Sequence, residues 1–272
     1  MQASRTTRNY KKDIQAATYL DDLFMTVVLS HFPEVTQFVL RIIMEMPDLE
    51  LVEILTQPDK KSFFNRSIRL DVLAKDSKGR LYNIEVQNAD EGAEPKRARY
   101  HSSVIDSDYL KKGAKFNELP ETYVIFITEN DVIGGNKPLY HIDRRIEEMK
   151  FAHFKDEQHI IFANTAYRGR KKIVKLFHDL ICSDPDKMNY PELAAAARYF
   201  KEDDKGVIKM CRMMDKIVKE ENKAAVQDAI KQERRRNFAE MSKDGVPKEK
   251  IKKYLGISDK EYKELLSVTP AS

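Results

Sequence analysis

The sequence predicts an α/β core followed by a helical C-terminal region. Two runs, Leu70–Lys75 and Leu81–Gln87, are rich in β-branched and apolar residues, and Asp76-Ser77-Lys78-Gly79 between them is a turn signal. The run Tyr123–Thr128 is apolar without a break, the pattern of a strand buried on both faces. From Lys171 onward no strand pattern recurs, and helices are expected around 171–182, 191–201, 205–241, 247–255 and 259–266.

The elements follow in order. MQASRTTRNYKKDIQ reads as a flexible basic leader, residues 1–16. Tyr19, Leu20, Leu23, Phe24, Val27 and Val28 recur at i, i+3/i+4 spacing and define an amphipathic helix, with Asp22 at the edge of its stripe. A second helix, Val35–Met46, ends before Pro47, and Leu49–Leu55 is a short strand. After the hairpin comes a polar loop, Asn88–Pro95, then a helix from Lys96 to Lys112 capped by Gly113. Strands Tyr123–Thr128 and Ile160–Asn164 follow, with a segment of no clear pattern between them.

The hairpin brings two carboxylates together. A three-residue loop, Ser77–Gly79, is a type I turn closed by a glycine at φ > 0, and it sets residue 76 opposite residue 80. Opposed residues then sum to 156, so Asp71 faces Glu85. Opposed Cβ atoms in an antiparallel pair lie roughly 5 Å apart, and like charges there destabilise the sheet unless a cation compensates. Gln87 shares the acid face by the period of two. Leu70, Val72, Ala74, Tyr82, Ile84 and Val86 make the opposite face apolar, so one side is core and a cleft is expected on the other. A solvated hairpin face accounts for the same spacing when it is taken alone.

These residues also carry a family resemblance. The order Asp, hairpin, Glu-x-Gln, helix, apolar strand resembles the PD-(D/E)XK nuclease fold, and the wording resembles its transposase-associated branch, the recombination-promoting nuclease family. The matching pieces are Asp22-Leu23-Phe24, RLDV, IEVQ, PKRARYHSSVIDSDYLKKGAKFNELPETYVIFITEN, HIIFANT and YFKEDDKGVIKMC, reaching from Ala17 to the C-terminal region. The chain departs from the broader pattern at three places. Gln87 stands where most such nucleases have Lys, although this branch commonly has Gln; His101 replaces a usual second Tyr; Met25 replaces a frequent Lys.

The resemblance implies phosphodiester hydrolysis on a restriction-endonuclease-like core, a mixed central sheet flanked by helices. Asp71 and Glu85 offer hard oxygen ligands that suit Mg²⁺ or Mn²⁺. By resemblance the Val86 carbonyl is a further ligand and Asp22 a third carboxylate, though a solvent-facing helix charge explains Asp22 equally well. Where a lysine would supply charge, Gln87 orients water through hydrogen bonds only, which implies slower or more metal-dependent chemistry. Lys96, Arg97 and Arg99 open the helix after the Glu85 strand and can meet a phosphate at its N-terminus, as the family's basic residues and Tyr100 do. His101 is a candidate general base, set against the commoner role of a lone helical His as a hydrogen-bonding or surface residue.

Composition bounds the partners. With 272 residues and 42% apolar content the chain can bury one full core plus a smaller lobe. No apolar run is long enough to span a bilayer and the N-terminus lacks a signal-peptide stretch, so no membrane partner and a cytoplasmic location are expected. Cys182 and Cys211 are far from any CxxC or His pairing and read as buried thiols. The net charge of +4 sits wholly in residues 201–272, so DNA contact must come from local clusters.

In the tail, Val246–Ser258 reads as a short helix stopped by Gly256, then a helix capped by Ser258. It resembles half of a helix-turn-helix, and an interaction or dimerisation segment forming a homo-oligomer fits equally. The expected organisation is a leader (1–16), a nuclease-like core (17–168) and a helical region (169–272). The expected function is a Mg²⁺-dependent DNA endonuclease connected with recombination or mobile elements. The alternative is a weak or inactive nuclease-fold protein that binds DNA or a protein partner.

Overall fold

The computed structural model describes residues 3–55, 72–87 and 93–268. In chain order the elements are α1 (Ala3–Ala16), α2 (Asp22–His31), α3 (Pro33–Ile43), β1 (Leu51–Leu55), β2 (Val72–Asp76), β3 (Leu81–Gln87), α4 (Pro95–Tyr109), β4 (Thr122–Thr128), β5 (Leu139–Ile142), β6 (Arg145–Ile146), β7 (Ala152–His153) and β8 (Gln158–Asn164). Helices α5 (Ile173–Ile181), α6 (Pro191–Glu202), α7 (Asp204–Lys243), α8 (Lys248–Leu255) and α9 (Asp259–Val268) complete the chain.

Six strands form one mixed sheet in the order β1-β2-β3-β4-β8-β5. β1, β2 and β3 are antiparallel, β3, β4 and β8 are parallel, and β5 returns antiparallel on the far edge. This is the restriction-endonuclease-like α/β arrangement that the sequence implied. The parallel connection needs a crossover, and α4 supplies it between β3 and β4. β4 is buried along its whole length, as its unbroken apolar run requires.

The hairpin adopts the expected register. Val72 faces Ile84, Leu73 faces Asn83 and Lys75 faces Leu81. The turn closes with Gly79 at φ +85°, the Gly79 N–H donating to the Asp76 carbonyl at 3.0 Å. Asp76 fixes the turn from inside: its Oδ1 accepts from the Lys78 and Arg80 N–H groups and its Oδ2 from Arg80 Nε and the Tyr82 hydroxyl. Burial opposes ionisation, but the Arg80 side chain, its N–H and Tyr82 together hold the Asp76 carboxyl below its ordinary range. Asp71 lies outside the described residues, and its pairing with Glu85 with it.

Several sequence expectations need correction. The leader is helix α1, with Ile14 buried; buried Lys201 donates through Nζ to the Gln15, Ala17 and Ser183 carbonyls. Helix α4 stops at Tyr109, and Gly113 takes its φ of +93° in the turn beyond rather than as the cap. The patternless segment holds β5, β6 and β7, whose short, largely exposed strands give no apolar alternation. The chain divides into compact units Met1–Met214 and Asp215–Ser272, because α5 and α6 contribute Phe177, Leu180, Leu193 and Phe200 to the first unit's interior.

Within the second unit Phe238, Ile251, Leu255 and Ile257 form a small core, with Met241, Val246, Tyr262 and Leu265 packed against it. Gly256 ends α8 at φ +61°, and Ser258 and Glu261 cap α9 reciprocally, at 2.7 Å and 3.3 Å. Cys211 is buried as expected, whereas Cys182 is only half-buried. Among the described residues no single helix is long and apolar enough to cross a membrane.

Candidate active site

The site is built on one face of β3 and one face of α4. The strand period of two sends Asn83, Glu85 and Gln87 to the same side of the sheet. Arg97 and His101, four residues apart, project from the same side of α4. Ala98 and Ile105 hold that helix down by packing with Leu73, Leu81, Val124, Phe126 and Phe162. The face that was expected to open on a cleft is therefore covered, and the Glu85 side chain is 0% exposed.

Glu85 is embedded in a polar network. Asn83 Nδ2 donates to Glu85 Oε1 at 2.8 Å, and His101 Nδ1 lies 3.1 Å from the same oxygen. Arg97 Nη2 stands 3.9 Å from Oε2. The guanidinium also makes two long contacts, Nη1 to Gln87 Oε1 and Nε to His101 Nε2, each at 3.4 Å. The partners assign the His101 tautomer: Nδ1–H donates to Glu85 and the Nε2 lone pair accepts from Arg97. Both His101 nitrogens are thus engaged, and the ring is buried against Phe126.

The other expected residues lie on β3, α4 and α2. Gln87, half-buried, ends β3, and its carbonyl accepts the Glu129 N–H at 3.0 Å. Val86 precedes it, with its side chain on the opposite face. Lys96 and Arg99 are exposed on the first turns of α4 and Tyr100 is half-buried, while Arg97 turns inward toward Glu85 with 39% of its side chain exposed. Asp22 is exposed in the first turn of α2 and accepts the Thr26 hydroxyl at 3.3 Å. Asn83 escaped the sequence reading, although its place two residues before Glu85 is the signal that puts it in the site.

The family model described as PD-(D/E)XK nuclease family transposase matches residues 36–173, half of the chain. The chain belongs to that family. No curated protein and no solved structure matches it. In this PD-(D/E)XK family protein the matched stretch contains every strand of the central sheet and α4, and so Asn83, Glu85, Gln87, Arg97 and His101. The family is one of nucleases, so it implies hydrolase chemistry and a DNA substrate.

Whether a divalent cation fits can be judged from the donors. The Glu85 carboxylate, the Val86 carbonyl and the Asn83 amide oxygen are hard oxygen donors within three residues of one strand. Asn83 Oδ1 is buried and has no hydrogen-bond partner among the described residues, a polar atom that a cation would satisfy. Oxygen donors of this kind are the ones a hard divalent cation takes. Among the described residues no group of three or more acidic, His or Cys side chains makes a metal cluster.

Proposed function

We propose that this protein is a metal-dependent DNA endonuclease that hydrolyses phosphodiester bonds in recombination or mobile-element processing. The observation that carries the reading is the Glu85 carboxylate, buried at the end of β3 and held by Asn83, His101 and Arg97 inside a PD-(D/E)XK family core. Asp71, which the sequence reading sets opposite Glu85, would be its partner ligand, with the Val86 carbonyl and Asp22 completing the set. Bound there, Mg²⁺ or Mn²⁺ supplies charge stabilisation for the phosphate and a more acidic water.

The chain's own residues do the rest. His101 and Asn83 aim the Glu85 carboxylate. Arg97 engages Gln87 Oε1, which leaves the Gln87 Nε2 hydrogens to donate toward a phosphate oxygen or an attacking water. Arg97 thereby brings the positive charge that a lysine at 87 would carry elsewhere in the fold. Lys96, Arg99 and Tyr100 flank this point and are the proposed DNA contacts.

The second reading, a weak or inactive nuclease fold that binds DNA or a protein, has its own observation: Glu85 is fully buried under α4. Incubating purified protein with supercoiled plasmid in Mg²⁺, Mn²⁺ or EDTA separates the two. Nicking that needs the cation and falls at least a hundredfold in Glu85→Gln supports the enzyme. Binding without nicking supports the second reading.

A further inference from the structure

The parallel strands of the sheet end level with one another. Gln87 on β3 stands beside Thr128 on β4, and Thr128 beside Asn164 on β8. Neighbouring strands lie ~4.8 Å apart, so the end of β8 is about 10 Å from Gln87. Ligands of open α/β sheets gather at this carboxyl end of the parallel strands.

Directly beyond Asn164 the chain reads Thr165-Ala166-Tyr167-Arg168-Gly169-Arg170-Lys171-Lys172, four cations with no acid among them. Residues 1–200 carry 30 charges of each sign, so this run is a local excess in a balanced region. It is anchored to the sheet. The Thr165 N–H and hydroxyl both donate to the Thr128 carbonyl at 2.9 Å, the Ala166 N–H donates to Asn164 Oδ1 at 3.0 Å, and Asn164 Nδ2 donates to the Lys137 carbonyl at 3.1 Å.

Arg168 spends one guanidinium nitrogen on the Thr165 carbonyl at 2.6 Å. Arg170, Lys171 and Lys172 are exposed, and none makes an ion pair with a carboxylate among the described residues. Some other exposed cations of the chain do find an acid, Arg236 with Glu240 and Lys187 with Asp184 for example. A cluster that is positioned by buried threonines and left without acids complements an external polyanion.

We propose that residues 168–172 grip the phosphate backbone of duplex DNA on the β8 side of the active site, opposite Lys96 and Arg99 on the β3 side. The inference rests on the nuclease reading and extends it by a second contact line, carried by Arg170, Lys171 and Lys172.

The test is a salt titration of the full-length protein with a fluorescein-labelled 30-base-pair duplex in EDTA, read by anisotropy. The combined variant Arg170→Gln, Lys171→Gln, Lys172→Gln should lower the slope of log K against log salt by about 2–3, ~0.9 for each lost phosphate contact, and weaken binding by on the order of tenfold or more at 50 mM salt. A control, Lys78→Gln, Lys111→Gln, Lys112→Gln, removes the same charge near the opposite ends of these strands and should leave the slope close to wild type. An unchanged slope in the first variant, or an equal drop in the control, overturns the grip while wild-type DNA binding keeps the nuclease reading intact. Wild-type protein that fails to bind the duplex overturns both. Equal melting temperatures for the three proteins exclude misfolding as the cause of a drop.

Discussion

Arg97 Nη1 meets Gln87 Oε1 at 3.4 Å across the junction of α4 with the end of β3, so the neutral amide of this site already has a cation beside it. Substituting Gln87 by Lys would set two cations against each other. Gln87→Lys alone should therefore lose nicking activity, and Arg97→Ala should restore part of it in the double variant. The coupling should be about 0.5–1 kcal/mol, toward the low end of the range for contacting pairs because the Arg97 side chain is 39% exposed. Additive losses in a double-mutant cycle of nicking rates would separate the two residues.

His101 should act through Glu85. His101→Asn keeps one donor near the carboxylate, whereas His101→Leu removes it and leaves a buried charge short of a partner, a cost of about 1–3 kcal/mol. We expect the Asn variant to retain more cleavage than the Leu variant at equal DNA affinity. Parallel urea melts and single-turnover cleavage read both effects, and equal losses of cleavage in the two variants would deny His101 its positioning role.

Metal should stabilise the native state. A cation that binds only the folded donor set adds ~2.7 kcal/mol at a hundredfold excess over its dissociation constant. Thermal melting with millimolar Mg²⁺ or Mn²⁺ should shift upward in the wild type and not in Glu85→Gln. A shift of equal size in both would place the cation elsewhere.

Asp76 makes stability depend on acid. Its carboxyl is held below the ordinary value of 3.8 by Arg80 and Tyr82 despite burial. A depressed carboxyl contributes above the unfolded value and loses that contribution as pH falls through the folded one. Asp76→Asn should then cost about 1–3 kcal/mol at pH 7, and the gap to wild type should narrow below pH 4. Denaturant melts at pH 7, 5 and 3 measure it; a gap constant across pH would remove the ionised carboxyl as the cause.

Phe238→Ala should melt the C-terminal unit while sparing the first. Phe238 is fully buried in a core of few side chains, and truncation of such a ring costs ~3–5 kcal/mol. Hydrogen exchange should accelerate in α8 and α9 and stay unchanged in β4 and β8. Protection lost throughout the chain would mean that the two units unfold as one.

The sequence by itself determined what short-range chemistry controls. The hairpin register followed from the turn Asp76–Gly79 and the period of two, and β4 from its unbroken apolar run, because turn geometry and strand alternation are local. The tail helices were legible from Gly256 and Ser258 for the same reason. Tertiary structure decided the rest. The leader became α1 because Lys201, some 185 residues away, satisfies its last carbonyls, and a polar sequence carries no sign of so distant a partner. Glu85 was readable as a site residue, but its burial was not. Only the packing of α4 on Leu73, Leu81, Val124 and Phe126 closed that face and turned Arg97 inward, since which face of a sheet is covered depends on where the crossover helix lies.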